Sequence, residues 1–338
     1  MNNDKPLKWA LYGGAGFIGQ HLASSILSRS DRDSVTLLDL LSPQEQGLRV
    51  PLQPFLDDGR LSAVKADVRD YSQLQATSDA FDVMVNLAAI CREPGHENEE
   101  YFETNVAGAE NICRLAEETG CEEIIFTSSI AVYGIHDRAA DEHSAPRPKM
   151  PYGQSKLQAE EIHKAWASRV GGRLSIIRPG VVFGPGERGN VSRLVSEMIK
   201  RNRAIQIYPD QVKAGIYIEE LLSIIHWLRT QTPALSGFHL VNGVTETPIT
   251  FNAYGETLGE IKHFAKRPFT APEILLKTAA ASLTPLSRLF SAGSKVHPRR
   301  ITKLTLVNDI RATMLMDMGY PFNWSLETAL DHWLKQGL

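Results

Sequence analysis

A short apolar run, Trp9-Ala10-Leu11-Tyr12, breaks at once into Gly13-Gly14-Ala15-Gly16-Phe17-Ile18-Gly19 and then into a helical pattern that reaches Ile26 and Leu27. That order is a strand, a glycine turn and a helix start. Backbone N–H groups at such a start, with no side chains in the way, can cradle a pyrophosphate, and the helix dipole favours its negative charge. The spacing is Gly-x-x-Gly-x-x-Gly rather than the commonest dinucleotide fingerprint, so the turn alone is weak evidence. Val35-Thr36-Leu37-Leu38 strengthens it as a second strand ending in Asp39, twenty residues past Gly19. A carboxylate there can accept hydrogen bonds from adenosine ribose hydroxyls and would repel a 2′-phosphate, which favours NAD over NADP.

The same alternation continues. Leu61 to Lys65 reads as a third strand, with Asp67-Val68 just past its end where an adenine edge would lie. Asp67 is also placed to cap a helix. Val83 to Ala89 is a continuous apolar run, as fully buried parallel strands are, and Leu87-Ala88-Ala89 is small enough at its end to let a cofactor approach the backbone. A polar loop, Cys91 to Glu100, leads into a helix that carries Asn105 and ends near Gly120. Ile124 to Ser129, Leu174 to Arg178 and Phe238 to Val241 read as the fifth, sixth and seventh strands. The class is therefore α/β: a Rossmann-type, doubly wound, mostly parallel seven-stranded sheet with right-handed crossovers. After Pro179 prolines punctuate short helices, as in a smaller, irregular C-terminal substrate lobe. The expected division is 1–178 for the NAD-binding part, with 215–245 returning to it, and 179–214 with 246–338 for the substrate lobe.

Composition removes whole classes. A net charge of −3 with no block of like charges gives nucleic acid no footing. Met1 to Lys8 is polar and runs straight into a strand, and no apolar run reaches the eighteen or so residues needed to span a bilayer. A cytoplasmic protein with no integral membrane segment is expected. Cys91, Cys113 and Cys121 are odd in number and lack metal-ligand spacing, so they read as reduced thiols, and no metal is expected.

Chemistry concentrates in Tyr152-Gly153-Gln154-Ser155-Lys156. A Tyr and a Lys four residues apart share one face of a helix. An unperturbed tyrosine titrates near 10, so it becomes a base at neutral pH only beside a positive charge. Alone, such a pair is as easily an exposed helix contact; Ser129 could simply end a strand, and Asn105 could be a buried amide bonded to backbone.

Together, the glycine turn, Asp39, Asp67, Asn86-Leu87-Ala88-Ala89, Asn105-Val106-x-Gly108, Ser128-Ser129-x-x-Val132-Tyr133-Gly134, Tyr152-x-x-x-Lys156 and Arg178-Pro179-x-x-x-Phe183-Gly184-Pro185-Gly186 resemble the extended short-chain dehydrogenase/reductases. They most resemble the NAD-dependent epimerase/dehydratase branch, in order over roughly residues 9 to 245, and Leu326 to Trp333 resembles that branch's closing helix. The resemblance implies bound NAD, with cofactor contacts from Gly13, Gly16, Phe17, Ile18, Gly19, Asp39, Asp67, Val68, Leu87, Ala88, Ala89, Asn105, Tyr152 and Lys156. It makes Tyr152 the acid/base, gives Lys156 the nicotinamide ribose and the phenol's pKa, and has Ser129 hydrogen-bond the reacting oxygen. It also implies a homodimer built from the helices near Glu99 to Glu118 and Tyr152 to Trp166.

The departures from the branch bear on substrate. Its 4,6-dehydratases carry an Asp-Glu pair where Ile130-Ala131 stand here, and aliphatic side chains cannot shuttle protons. Val181 stands where an Asn usually meets the substrate's diphosphate side, and Lys213 where an Arg is usual. A nucleotide-sugar 4-epimerase is expected, with Arg92, Ser129, Arg193 and Lys213 as substrate contacts. The alternatives are a one-way dehydrogenase or reductase of an apolar alcohol or ketone, as in hydroxysteroid-type members, and a non-catalytic NAD-sensing protein. The apolar stretch Ile274 to Phe290 reads as ordinary second-lobe helices, with substrate lining or membrane contact as alternatives.

Overall fold

Near-continuous apolar runs in the first half become strands buried on both faces. The computed structural model describes residues 5–77, 80–91, 96–136, 138–231, 237–272, 274, 278 and 308–337. Its first half runs β1 (Lys8–Tyr12), α1 (Phe17–Arg29), β2 (Ser34–Asp39), α2 (Pro43–Gln46), α3 (Gln53–Asp57), β3 (Leu61–Lys65), α4 (Tyr71–Ala76), β4 (Val83–Asn86), α5 (Asn98–Thr119), β5 (Glu123–Thr127), a 3-10 turn (Ile130–Tyr133), α6 (Pro151–Val170) and β6 (Arg173–Pro179). Every residue of β4 and β5 is buried, whereas β3 alternates toward exposure at the sheet's edge. The expected run from Val83 to Ala89 stops being strand at Asn86, and Leu87 to Ala89 turn away as loop.

The second half runs β7 (Val181–Phe183), α7 (Asn190–Arg201), β8 (Ile205–Tyr208), β9 (Gly215–Tyr217), α8 (Ile218–Gln231), β10 (Phe238–Gly243), α9 (Phe251–Lys262) and β11 (Phe269–Pro272). A short helix, Thr313–Asp317, and the closing helix Leu326–Gln336 follow. Of the apolar stretch 274–290, only residues 274 and 278 are among those described.

Seven strands form one parallel sheet in the order β10-β6-β5-β4-β1-β2-β3. The chain winds one way from β1 and the other way from β4, so the switch point lies between these two neighbours, where such sheets bind ligands at the strands' carboxyl ends. Helices cover both faces. Leu22, Ala23, Ile26 and Leu27 of α1 pack with Leu11, Val85 and the closing helix's Leu330 and Trp333. On the other face Ile112 of α5 and Ala159 and Trp166 of α6 join Ala10, Tyr12 and Phe126. β7 with β9, and β8 with β11, make two small parallel ribbons outside the main sheet.

Candidate active site

Two glycines explain the first turn. Gly13 has φ +75°, and a Cβ there would lie 2.7 Å from the Ala88 backbone nitrogen. At Gly19 a Cβ would lie 2.4 Å from the Gly14 carbonyl oxygen, so α1 starts pressed onto the turn. The turn after β1 and the Leu87–Ala89 loop after β4 are thereby brought together across the switch point. Gly16 caps α1 without any side-chain hydrogen bond, and the helix's first turn carries no acidic residue. Such an end leaves its N–H groups and positive dipole open to an anion.

Asp39 closes the edge of this crevice. Its Oδ2 accepts the Ala15 N–H at 3.1 Å and its Oδ1 faces the Gln46 amide at 3.5 Å. Burial raises its pKa, against the opposing pull of backbone N–H groups at Ala15, Leu40 and Leu41. The fully buried Gln20, unremarked in the sequence, ties the turn to the next loop: its amide donates to Ala15 O at 2.7 Å and Gly47 O at 3.3 Å, while its Oε1 accepts the Arg49 N–H at 2.9 Å. Asp67 forks onto Arg69 at 2.6–3.0 Å, an interaction that holds its carboxyl below the usual range. The helix N-cap nearby belongs to Asp70, which accepts from Ser72 and Gln73 N–H, and not to Asp67. Val68 is buried, with its carbonyl accepting the Asn111 amide at 2.9 Å.

The catalytic candidates collect at the carboxyl end of β5 and the start of α6. Ser129 ends β5's extension and caps the 3-10 turn, its Oγ accepting the Ala131 N–H at 3.1 Å. That contact uses a lone pair and leaves the hydroxyl hydrogen to donate. Tyr152 sits in the first turn of α6, which Asn105 secures from α5: Asn105 Nδ2 donates to Ser155 Oγ at 2.9 Å, and Ser155 Oγ donates to Tyr152 O at 2.9 Å. Asn105 also accepts the Ile90 N–H at 2.9 Å, so its amide joins the loop after β4 to both helices. These are the backbone and side-chain contacts of a buried amide.

Four residues along α6 from Tyr152, Lys156 is 1 % exposed, with Nζ 4.2 Å from the centre of the Phe126 ring. Burial pulls its pKa from the usual 10.5 to about 7, although Glu160, one further turn along, pulls the other way. Phe126 also stacks on His163, with the ring centroids 4.2 Å apart. The His163 Nδ1 must carry hydrogen, because its partner at 2.6 Å is the Ala159 carbonyl. Burial lowers this imidazole to about 4, so the ring adds no positive charge beside Lys156.

Glu160, Arg178 and Tyr133 form a network that sequence reasoning missed. The Glu160 carboxylate, wholly buried, accepts Arg178 Nε at 2.8 Å, Arg178 Nη2 at 2.6 Å and Ser128 Oγ at 2.5 Å. Arg178 Nη1 donates to Tyr133 OH at 2.9 Å, which in turn donates to Asn242 Oδ1 at 2.8 Å. Burial alone would lower the arginine's pKa; the carboxylate more than reverses this and raises it. A usable signal was present: Glu160 stands four residues beyond Lys156 and eight beyond Tyr152, on a helix face that must be buried if theirs is.

The expected substrate contacts are scattered by comparison. Arg92 lies outside the described residues. Arg193 is exposed on the first turn of α7, its guanidinium turned to Gly189 O at 2.8 Å and Asn190 Oδ1 at 3.4 Å. The Lys213 backbone bonds Ile249 O at 2.8 Å and bridges to Asn308. Among the described residues no cluster of three or more His, Cys, Asp or Glu is placed to hold a metal, and no helix is long and apolar enough to cross a membrane. The three cysteines are free thiols, Cys113 and Cys121 buried.

Comparisons with known proteins agree with this geometry. The model of the NAD dependent epimerase/dehydratase family matches residues 9–236. The N-acetyl-alpha-D-glucosaminyl-diphospho-ditrans,octacis-undecaprenol 4-epimerase of Escherichia coli O157:H7 is 28% identical over 274 residues, which cover 80% of this chain and 81% of that one. The 3beta-hydroxysteroid-dehydrogenase/decarboxylase isoform 2 of Arabidopsis thaliana is 32% identical over 56% of this chain and 35% of its own. Among solved structures, UDP-glucuronic acid 4-epimerase from Bacillus cereus in complex with NAD superposes with a TM-score of 0.72 over 98% of this chain and 99% of that chain, at 19% identity.

Proposed function

The chain belongs to the NAD dependent epimerase/dehydratase family, and from that premise we propose that it is an NAD-dependent 4-epimerase acting on a sugar carried by a diphosphate, in the first instance a nucleotide sugar. The observation that carries this reading is the buried Lys156, one helical turn along α6 from Tyr152 and over the Phe126 ring near the carboxyl end of β5. When bound, NAD supplies a reversible hydride acceptor.

In this reading the open start of α1, with Gly13, Gly16, Phe17, Ile18 and Gly19, holds the pyrophosphate and Asp39 the adenosine ribose. Asp67 and Val68 flank the adenine, and Leu87, Ala88 and Ala89 line the floor. Asn105 acts by fixing that floor to α6. Tyr152 takes the proton of a ring hydroxyl and gives it back, Ser129 donates to the same oxygen, and Lys156 keeps positive charge beside the phenol and holds the nicotinamide ribose. Ile130-Ala131 bring no acid to the site, so the sugar keeps its hydroxyl. Arg92, Arg193 and Lys213 are the cations offered to the diphosphate. Residues 1–178 with 215–245 serve the cofactor and 179–214 with 246–338 the substrate, in a cytoplasmic homodimer joined through α5 and α6.

The apolar-alcohol reading keeps one support, Val181, which is 49% exposed on β7. The match to the steroid dehydrogenase, however, covers 35% of that protein, against 81% for the 4-epimerase. Cofactor content separates the two. Purified protein is expected to release NAD on denaturation and to interconvert UDP-linked sugars, followed by proton NMR, with no cofactor added. Protein that binds NAD only exchangeably and converts a ketone stoichiometrically with cofactor would reverse the assignment.

A further inference from the structure

We propose that the outer end of the substrate lobe is a docking surface for an anionic phospholipid bilayer. Lys200 and Arg201 at the end of α7, Arg203 just after it, and Lys266 before β11 line one concavity together with a single carboxylate, Glu197. That carboxylate is already engaged by Arg201. Backbone bonds hold the cationic segments side by side: Lys266 N–H reaches Asn202 O at 3.3 Å and Phe269 N–H reaches Ala204 O at 2.8 Å. In a chain with 39 acidic against 36 basic residues, four cations around one neutralised carboxylate run against the average.

The ribbon that starts at this cationic end carries the apolar half of the surface. β8 and β11 pair from Phe269 opposite Ile205 to Pro272 opposite Tyr208. Tyr208 is 72% exposed and Ile274, just beyond β11, 70%, while Phe269, in register with Ile205, lies on the ribbon's other face. Large apolar side chains so fully in water, Tyr208 at the end of β8 and Ile274 just past β11, mark an interaction surface. Cations beside exposed aromatic and aliphatic side chains match the two layers of a bilayer interface, where phosphates meet the cations and the acyl boundary takes the apolar groups. A nucleic acid would use the cations but has no place for Ile274. Asp210, two residues past Tyr208, and Glu256 and Glu260 on neighbouring α9 are exposed acids near β8; Asp210 accepts the Asn252 N–H at 3.0 Å, and Gln206 engages Glu256 at 3.2 Å. This inference stands apart from the proposed reaction; a bilayer-docked enzyme would also reach a sugar whose diphosphate carrier is a lipid.

The test is sedimentation of the full chain with vesicles of 3:7 phosphatidylglycerol and phosphatidylcholine, against phosphatidylcholine alone. Each basic residue near an anionic surface contributes about fivefold to partitioning, so Lys200→Glu, Arg203→Glu and Lys266→Glu together are expected to weaken binding by more than tenfold. Raising salt should release the protein. Ile274→Ser with Tyr208→Ser should weaken vesicle binding while leaving its salt dependence, with folding checked by thermal unfolding. No sedimentation with the anionic vesicles at low salt overturns the proposal, as does triple-variant binding equal to wild type. Tighter binding to an RNA oligonucleotide, indifferent to the serine pair, would replace the bilayer with a polyanion. Should the triple variant fail to fold, Lys266→Glu and the salt series on the wild type decide the matter, and neither touches epimerisation.

Discussion

The two faces of α6 carry the same kinds of charge and differ in everything else. On the inner face Lys156 and Glu160 are 1% and 0% exposed, and Arg178 grips the carboxylate from β6 at 2.6 Å. On the outer face Arg169 meets Glu117 of α5 at an equal 2.6 Å, with the two side chains 55% and 43% exposed. Distance therefore says nothing about worth. Water around the outer pair competes for both partners, and the gain is small. Inside, each charge has lost its hydration and depends on its neighbours, so removing one leaves another stranded. The inner face also has an unequal count: two cations, Lys156 and Arg178, surround one carboxylate. The surplus positive charge lies on the face where, in the proposed reaction, Tyr152 sheds a proton.

The largest break in this contrast is Tyr152→Phe. It removes the group proposed to move the proton and no buried charge, so turnover is expected to fall about 10⁴-fold while the melting temperature and the NAD carried through purification stay unchanged. Retained turnover would take tyrosine out of the mechanism. Lys156→Met is next, and its signature is a slope. The unfolded chain keeps this proton up to about 10.5 and the folded chain only to about 7. Between those values the unfolded state binds more protons, so this group's penalty is fully present below pH 7 and fades as pH rises. Lys156→Met should be more stable than wild type at neutral pH, with the gap closing toward pH 10, in denaturant titrations run at each pH. In the proposed mechanism wild-type activity needs the ammonium and should fall as pH rises through about 7. Parallel pH curves for the two proteins would remove the buried cation from the account.

Glu160→Gln comes third. It keeps the shape and deletes the charge, leaving Arg178 uncompensated, with an expected loss of about 3 kcal/mol in urea unfolding. Adding Arg178→Met to the same chain should recover part of that loss, because Lys156 is then the one buried cation of this network left without the carboxylate. A single variant as stable as wild type would mean that water reaches this pair after all.

The contrast also separates what could be read in the sequence from what could not. The seven strands and the Gly13 turn were legible because burial on both faces writes itself as unbroken apolar runs, and because a φ of +75° against the Ala88 backbone admits only glycine. Tyr152 and Lys156 were legible by spacing. Glu160 was legible only through its spacing from Lys156, since a glutamate in a helix ordinarily reads as solvated, and its partner lies eighteen residues away on β6. At Asn105 the spacing marked the position but not its partners within the chain, Ile90 and Ser155. The ends of Arg193 and Lys213 depend on a lobe whose small ribbons have no periodic signature to anchor them.

The smallest expected effect belongs to Arg169→Ala, and it sharpens the comparison. In a single copy of the chain the Arg169–Glu117 pair stands in water, so its loss should move the melting temperature by less than about 1 °C, and added salt should make no further difference. That expectation holds for a free α5–α6 surface. If the two helices pair with a second copy of the chain, the same two side chains are withdrawn from water, and the outer face begins to behave like the inner one. Melting curves of Arg169→Ala and wild type at low and high protein concentration therefore read the state of this face. Curves that coincide at every concentration leave the pair exposed, whereas a deficit that grows with concentration places it against a partner. A large deficit at the lowest concentration would instead break the rule that separates the two faces of α6.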